Sequence, residues 1–169
     1  MLLTGKTALI TGAGRGIGRA IALAFAEQGC NIAAAARTES ELAETVALAQ
    51  QRGRRAAAYP CDVADPEQVA AMAQAALSDF GAIDILVNNA GYACFKPFME
   101  LTLEEWRRTL DVNMTGIFLC CRALLPHMIA RHSGCVINVS SVSGLRPIMH
   151  QSAYCASKHG VNGLSVTLA

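Results

Sequence analysis

Five short apolar segments alternate with helical segments along the chain, and this alternation limits the possible folds more than any other feature. The apolar segments lie at residues 6–11, 31–36, 55–59, 83–87 and 134–140. A strand followed by a helix and a further strand places both strands parallel in one sheet. The order therefore predicts an α/β fold, a doubly wound parallel sheet with helices on both faces, in a single three-layer α/β/α domain over residues 1–169.

A glycine-rich turn joins the first strand to the first helix, which we expect over residues 19–28. Its spacing is T-G-x-x-x-G-x-G, with glycines at Gly12, Gly16 and Gly18. The common G-x-G-x-x-G pattern is not met, because its third glycine would fall on Ile17. Backbone N–H groups in such a turn, together with the helix N-terminus, can bind a phosphate. An ordinary turn is the alternative, since turns use glycine in any case.

The end of the second strand carries no acidic residue. In dinucleotide-binding folds an Asp or Glu at this point binds the ribose 2′-hydroxyl. This chain has Ala36 there, followed by Arg37. With no carboxylate at that position to repel a 2′-phosphate, Arg37 could bind one, and Arg15 in the glycine turn could make a second contact. The alternative is that both arginines are solvated surface side chains. We expect NADP(H) as the cofactor, with NAD less favoured.

Polar residues follow the third and fourth predicted strands and interrupt a long helix. Asp62 could face an adenine amino group, or it could only cap its loop. Residues 88–91, of sequence Asn-Asn-Ala-Gly, would let a cofactor approach the backbone while the asparagines brace the sheet. Thr102 begins a capping box, and the helix that it opens runs to about residue 131 with Asn113 inside it. An unpaired buried amide is costly, so Asn113 is either a satisfied core residue or holds a water.

Tyr154 and Lys158 are four residues apart in the last helix, which we expect to start at Ser152. That spacing places both side chains on one face. An ammonium beside a phenol favours the phenolate, and a phenol so placed can exchange a proton with a substrate oxygen. The fifth strand ends at serines that could point to the same spot. The alternative is a surface helix with an incidental tyrosine and lysine.

Taken together and in this order, these motifs resemble those of the short-chain dehydrogenase/reductase family. Residues 11–18 are similar to its cofactor loop, Asp62 with Val63 to its adenine contact, and residues 88–91 to its motif after the fourth strand. The resemblance implies a Rossmann-type fold and hydride transfer between a nicotinamide and a carbonyl or secondary alcohol carbon. The chain is also similar to the 3-oxoacyl-acyl-carrier-protein reductase branch.

The resemblance implies a catalytic set of Asn113, Ser141, Tyr154 and Lys158. Tyr154 would be the general acid/base, and Ser141 would bind the substrate oxygen. Lys158 would hold the ribose hydroxyls and favour the tyrosinate, while Asn113 would support a water in the proton relay. We select Ser141 among the neighbouring serines because the family's serine stands thirteen residues before its tyrosine. The implied cofactor-binding residues are Gly12, Arg15, Gly16, Ile17, Gly18, Arg37, Asp62, Val63, Asn89, Ala90, Gly91, Tyr154 and Lys158.

Charge and composition limit the partners. The formal net charge is +1 with no basic stripe, which argues against nucleic acid and anionic membranes. No apolar run approaches the ~18 residues of a membrane span. The seven cysteines form no C-x-x-C pair and favour buried thiols in a reducing cytoplasm, and the four histidines have no metal-ligand spacing. We expect a small-molecule carbonyl or alcohol substrate and no metal.

The end of the chain differs from the family pattern. Family members continue with two more strands and a flexible segment that covers the substrate, whereas residues 165–169 end inside an apolar helix without a glycine or asparagine cap. We therefore expect the C-terminal strands to be missing, the last strand to be an exposed edge, and the isolated chain to aggregate and turn over little. A full-length form would be a homo-oligomer, either dimer or tetramer. Alternatives are a silent NADP-binding fragment or scaffold, and an enzyme of this fold with dehydratase or epimerase chemistry.

Overall fold

The computed structural model describes residues 1–169 and contains one parallel sheet. Its five strands are β1 (Thr7–Thr11), β2 (Asn31–Ala36), β3 (Ala56–Pro60), β4 (Ile85–Asn88) and β5 (Cys135–Asn138). They lie in the order β3-β2-β1-β4-β5, and every neighbouring pair is parallel. The strand order reverses between β1 and β4, which is where doubly wound sheets bind their ligands. The predicted doubly wound α/β fold is confirmed.

Six helices connect and cover the strands. They are α1 (Gly16–Glu27), α2 (Glu39–Gln50), α3 (Pro66–Phe80), α4 (Leu103–Leu110), α5 (Gly116–Ala130) and α6 (Ser152–Leu168). The helix α1 begins earlier than predicted, because Gly16 of the glycine turn is already its first residue. Capping residues begin two other helices: Asp65 accepts hydrogen bonds from the N–H groups of Glu67 and Gln68, and Thr102 forms the predicted capping box with Glu105.

Two apolar clusters lie on opposite faces of the sheet. Leu9 packs with the cluster under α3 and α5, whereas the next residue of β1, Ile10, packs with the cluster under α1 and α2. Successive side chains of a strand point to opposite faces, so β1 contributes to both clusters. This division produces the three α/β/α layers.

The run from α4 to α5 is a core helix. It spans Leu103–Ala130 and is long and apolar enough to cross a membrane by length and composition alone. In this fold its residues Ile117, Cys120 and Leu124 are buried against the sheet. A π-helical turn at Asp111–Thr115 separates α4 from α5, which confirms the interruption predicted at Asn113.

Strand β5 is an edge of the sheet. It pairs with β4 on one side only, and the side chains of Cys135 and Ile137 are exposed. Because an unprotected edge offers unpaired backbone groups to another chain, we expect the 169-residue chain to self-associate through β5. Ile137→Lys should weaken that association about fivefold, the scale of a like-charge pair between strands.

Sedimentation velocity over a range of concentrations measures this effect. Leu2→Lys is the control, since it adds the same charge at another exposed apolar side chain. Equal self-association of Ile137→Lys and the starting protein would exclude β5 as the contact.

Candidate active site

A cavity of about 420 Å³ opens where the strand order reverses. Its walls come from the glycine turn and from the segments that follow β2, β3, β4 and β5, with α6 closing one side. The predicted site residues that line it are Gly12, Arg15, Ile17, Gly18, Arg37, Asp62, Val63, Asn89, Ala90, Gly91, Tyr154 and Lys158. Gly16, Asn113 and Ser141 are not among its lining residues.

The glycine turn requires glycine for two different reasons. Gly12 and Gly16 have φ angles of +65° and +55°, in the left-handed region that favours glycine. Gly18 has no room for a side chain, because a Cβ there would overlap the carbonyl oxygen of Gly12. A Cβ on Gly12 would in turn lie 2.9 Å from the Cα of Ala90. The turn, the start of α1 and the segment after β4 therefore approach one another closely and form a cradle that fits a dinucleotide phosphate.

Asn89, which follows β4, holds this cradle together. Asn89 Nδ2 donates to the carbonyl oxygens of Thr11 and Gly12, at 3.0 and 3.3 Å. The backbone N–H groups of Asn89 and Ala90 both donate to Thr11 Oγ1, at 3.0 and 3.1 Å. One segment of the cavity wall is thus fixed directly to the other.

Tyr154 and Lys158 lie on the same face of α6, and both line the cavity. Lys158 Nζ is 5.7 Å from the centroid of the Tyr154 ring and donates a 2.7 Å hydrogen bond to the carbonyl oxygen of Val139. Lys158 is only 4% exposed, and burial lowers the pKa of its ammonium. Phe95 packs edge-on against the Tyr154 ring, with the ring centroids 5.8 Å apart. These contacts hold the phenol beside the ammonium.

The three serines after β5 differ in their contacts. Ser140 lines the cavity, and its hydroxyl donates to the carbonyl oxygen of Lys158. Ser143 is buried and donates to Gln151 Oε1 at 2.8 Å, which is a structural contact. Ser141 Oγ accepts a hydrogen bond from the N–H of Ser143, so its hydroxyl proton is available to another group.

The Asn113 side chain lies in the core with hydrogen-bond partners for both its oxygen and its nitrogen. It is fully buried, its Oδ1 accepts from the N–H of Tyr92, and its Nδ2 donates to the Tyr92 carbonyl oxygen and to Ser157 Oγ. Ser157 lies on α6 between Tyr154 and Lys158 in sequence. The carboxamide therefore connects the segment after β4 with the helix that carries the phenol and the ammonium.

Arg108 was not predicted as a site residue, yet it lines the cavity. Its Nη2 lies 2.8 Å from Asp62 Oδ2, while the other carboxylate oxygen accepts the N–H of Ala64. Burial opposes ionisation of Asp62, but the hydrogen bonds from Arg108 and Ala64 outweigh it, so the pKa of Asp62 lies below its usual value. No sequence signal links Arg108 to Asp62, because the two are 46 residues apart.

A carboxylate from another element lies at the end of the cavity next to β2. We call this the ribose end, because dinucleotide folds bind the adenosine ribose there. The residue at the end of β2 is the uncharged Ala36, but Glu41 from α2 lines the cavity beside Ala36 and Arg37. Its Oε1 is 3.8 Å from Arg15 Nε. In the sequence, Glu41 is recognisable only as an acidic residue in the first turn of a helix. Such a residue usually indicates no more than a favourable contact with the helix dipole.

Comparison with known proteins identifies several similar chains. A family model described as short chain dehydrogenase matches residues 6–169. D-threitol dehydrogenase from Mycolicibacterium smegmatis is 46% identical, and the match covers 99% of this chain and 64% of the relative. 3beta-hydroxysteroid dehydrogenase 1 from Eggerthella lenta is 43% identical, and the match covers 99% of this chain and 65% of the relative. The 3-oxoacyl-acyl-carrier-protein reductase of Staphylococcus aureus is 41% identical, with 97% and 67% covered.

Two solved structures have the same fold. An NAD+-bound xylitol dehydrogenase matches with a TM-score of 0.97 at 35% identity, over 100% of this chain and 65% of its own. A metagenomic short-chain oxidoreductase in complex with NADP matches with a TM-score of 0.96 at 37% identity, and the match covers 100% of this chain and 77% of that structure's chain. The chain thus spans about two thirds of the length of the curated relatives it matches.

Proposed function

Because the chain belongs to the short-chain dehydrogenase family, we propose that it is an oxidoreductase that transfers a hydride between NADP(H) and a carbonyl or secondary alcohol carbon. The observation that carries this proposal is that Tyr154 and Lys158 line the same cavity as the glycine turn. A site that only bound a nucleotide would have no need of a phenol held beside a buried ammonium.

The proposed chemistry divides between the cofactor and the protein. A bound nicotinamide dinucleotide supplies the hydride to the carbonyl carbon, or accepts it from the alcohol carbon in the reverse direction. Tyr154 gives its phenolic proton to the carbonyl oxygen during reduction and takes it back during oxidation. Lys158 stabilises the phenolate that remains and holds the ribose hydroxyls. Ser141 donates its available hydroxyl proton to the substrate oxygen, which fixes the reacting carbon near the phenol.

We assign Asn113 a positioning role in this reaction. Its carboxamide connects the Tyr92 backbone with Ser157 on α6 and so fixes the helix that carries Tyr154. Because Oδ1 and both Nδ2 hydrogens of Asn113 already have partners, we propose that the main chain of the π-helical turn holds any water of the proton relay. Such turns occur frequently at functional sites.

We propose NADP(H) as the cofactor because Arg15 and Arg37 line the ribose end of the cavity. The similar structures bind NADP in one case and NAD+ in the other, so the choice depends on this chain's own residues. A 2′-phosphate is a strong acceptor for guanidinium groups.

Ala36→Asp should reverse this preference. The new carboxylate would lie against the 2′-phosphate of NADPH, where like charges are strongly unfavourable, and would accept a hydrogen bond from the 2′-hydroxyl of NADH. We expect NADPH affinity to fall at least about tenfold and NADH affinity to rise, as measured by fluorescence titration. Ala58→Asp, at an exposed alanine of β3, is the control. Unchanged NADPH affinity in an Arg37→Ala variant would refute the role of Arg37.

The reaction itself is tested by NADPH oxidation with a panel of small ketones, aldehydes and 3-oxoacyl thioesters, and by NADP+ reduction with polyols. The assay is run on the 169-residue chain and on a chain continued to the length of its relatives. We expect turnover with at least one substrate of the panel. Cofactor binding without turnover in either form would favour a silent NADP-binding protein instead.

We further propose a reducing, cytoplasmic location and a homo-oligomeric state. All seven cysteines are free thiols, which suits a reducing compartment. The outer face of α5 exposes apolar side chains, among them Phe118 and Ile129, and such exposed side chains are frequent at contacts between subunits. Light scattering of the chain continued to its relatives' length would measure the oligomeric state.

A further inference from the structure

We propose that Glu41 is a specificity-determining residue that weakens binding of the 2′-phosphorylated cofactor. Its carboxylate forms an ion pair with Arg15 and would repel the 2′-phosphate. The chain therefore selects NADP(H) over NAD(H) less strongly than Arg15 and Arg37 alone would allow. The inference rests on the proposed function, because it concerns the cofactor of that reaction.

The first observation is the position of the Glu41 side chain. It lines the cavity beside Ala36, Arg37 and Thr38, at the end of β2 where dinucleotide folds recognise the ribose. It also packs over the glycine turn, since a Cβ placed on Gly14 would be 3.0 Å from both the Cβ and the Oε2 of Glu41. The carboxylate therefore lies against the glycine turn instead of extending into solvent.

The second observation is the charge balance at this end. Arg15 forms its ion pair with Glu41, at 3.8 Å between Nε and Oε1, and the Arg15 side chain is otherwise largely exposed. Arg37 forms no ion pair in the structure. A 2′-phosphate that enters must share Arg15 with the carboxylate, whereas a 2′-hydroxyl could donate a hydrogen bond to it.

The third observation is that the first turn of α2 is fixed to the glycine turn. Arg19 donates to the carbonyl oxygens of both Gly14 and Glu41, and Thr45 Oγ1 donates to the Ala13 carbonyl oxygen at 2.9 Å. Because the backbone of Glu41 is held in this way, its carboxylate stays within reach of the ribose end when a cofactor binds. Glu41 thus supplies from α2 the acid that other dinucleotide folds carry at the end of β2.

Glu41→Gln tests the proposal, since it removes the charge and keeps the shape. We expect NADP+ to bind about threefold to fivefold tighter, the scale of one exposed ion pair. NAD+ should bind no tighter, because the glutamine oxygen still accepts the 2′-hydroxyl but carries no charge. Glu44→Gln is the matched control, because Glu44 lies on the same helix and pairs with Arg19 outside the cavity. In an Arg15→Ala background the gain from Glu41→Gln should shrink, because the ion pair is already absent.

Isothermal titration with NADP+ and NAD+ measures these effects, and circular dichroism checks that each variant is folded. Unchanged NADP+ affinity in Glu41→Gln, or an equal change for both cofactors, would overturn the role of Glu41 while leaving the proposed function intact. If the starting protein binds neither cofactor, the proposed function fails, and this inference fails with it.

Discussion

Tyr154→Phe is expected to reduce turnover about 10²–10⁴-fold, the typical contribution of a general acid or base, while cofactor affinity stays nearly unchanged. The variant keeps the aromatic ring, and with it the edge contact to Phe95 and the position beside Lys158. It removes only the hydroxyl that carries the proton. Steady-state kinetics with the best substrate of the panel, together with NADPH titration, separate the loss of chemistry from a loss of binding.

Tyr59→Phe is the matched control for Tyr154→Phe. It also removes a phenolic hydroxyl, but that group donates to Asp79 on α3 and lies outside the cavity. We expect its turnover to equal that of the starting protein. Turnover close to the starting level in Tyr154→Phe would show that another group moves the proton.

Gly18→Ala is expected to damage both cofactor binding and stability. The added methyl would overlap the carbonyl of Gly12 and crowd Asn89 Nδ2, and both of these groups hold the cradle together. Overpacking of this kind typically costs ~1–3 kcal/mol, which corresponds to about a tenfold to hundredfold loss of affinity if it falls on the bound state. Titration with NADPH and urea denaturation measure the two effects.

Gly163→Ala provides the control, since a Cβ at that position of α6 meets no atom within 4 Å. Alanine is a better helix former than glycine, so this variant should be more stable by about 0.5–1 kcal/mol. If Gly18→Ala bound NADPH like the starting protein, the close approach of the glycine turn to Asn89 would not matter for binding.

The elements could be predicted from the sequence because their signals are local. β2 has the predicted bounds, and the capping box at Thr102 begins its helix as expected. β4 begins later than predicted, at Ile85, although Ile83 is fully buried. Asp84 between them accepts the N–H of Thr7 through its side chain. Apolar character predicts burial, and it does not decide which backbone groups pair.

The site was predictable only in part, for a related reason. The glycine turn, Asp62, Asn89, Tyr154 and Lys158 were predicted because the family's motifs are short stretches of sequence. The partners of these residues come from distant segments: Arg108 approaches Asp62 from α4, and Glu41 approaches Arg15 from α2. Such contacts depend on how the helices pack on the sheet, and residue spacing does not contain that information.

Deuterium transfer tests the proposal that this chain transfers a hydride from a nicotinamide with Tyr154 as the proton donor. NADPH that carries deuterium at the transferring nicotinamide position is incubated with the protein and a carbonyl substrate, and the alcohol product is analysed by mass spectrometry. We expect one deuterium on the carbinol carbon of each product molecule, and almost no labelled product with Tyr154→Phe. A product without deuterium, equal labelling with Tyr154→Phe, or no product although NADPH is bound would contradict it.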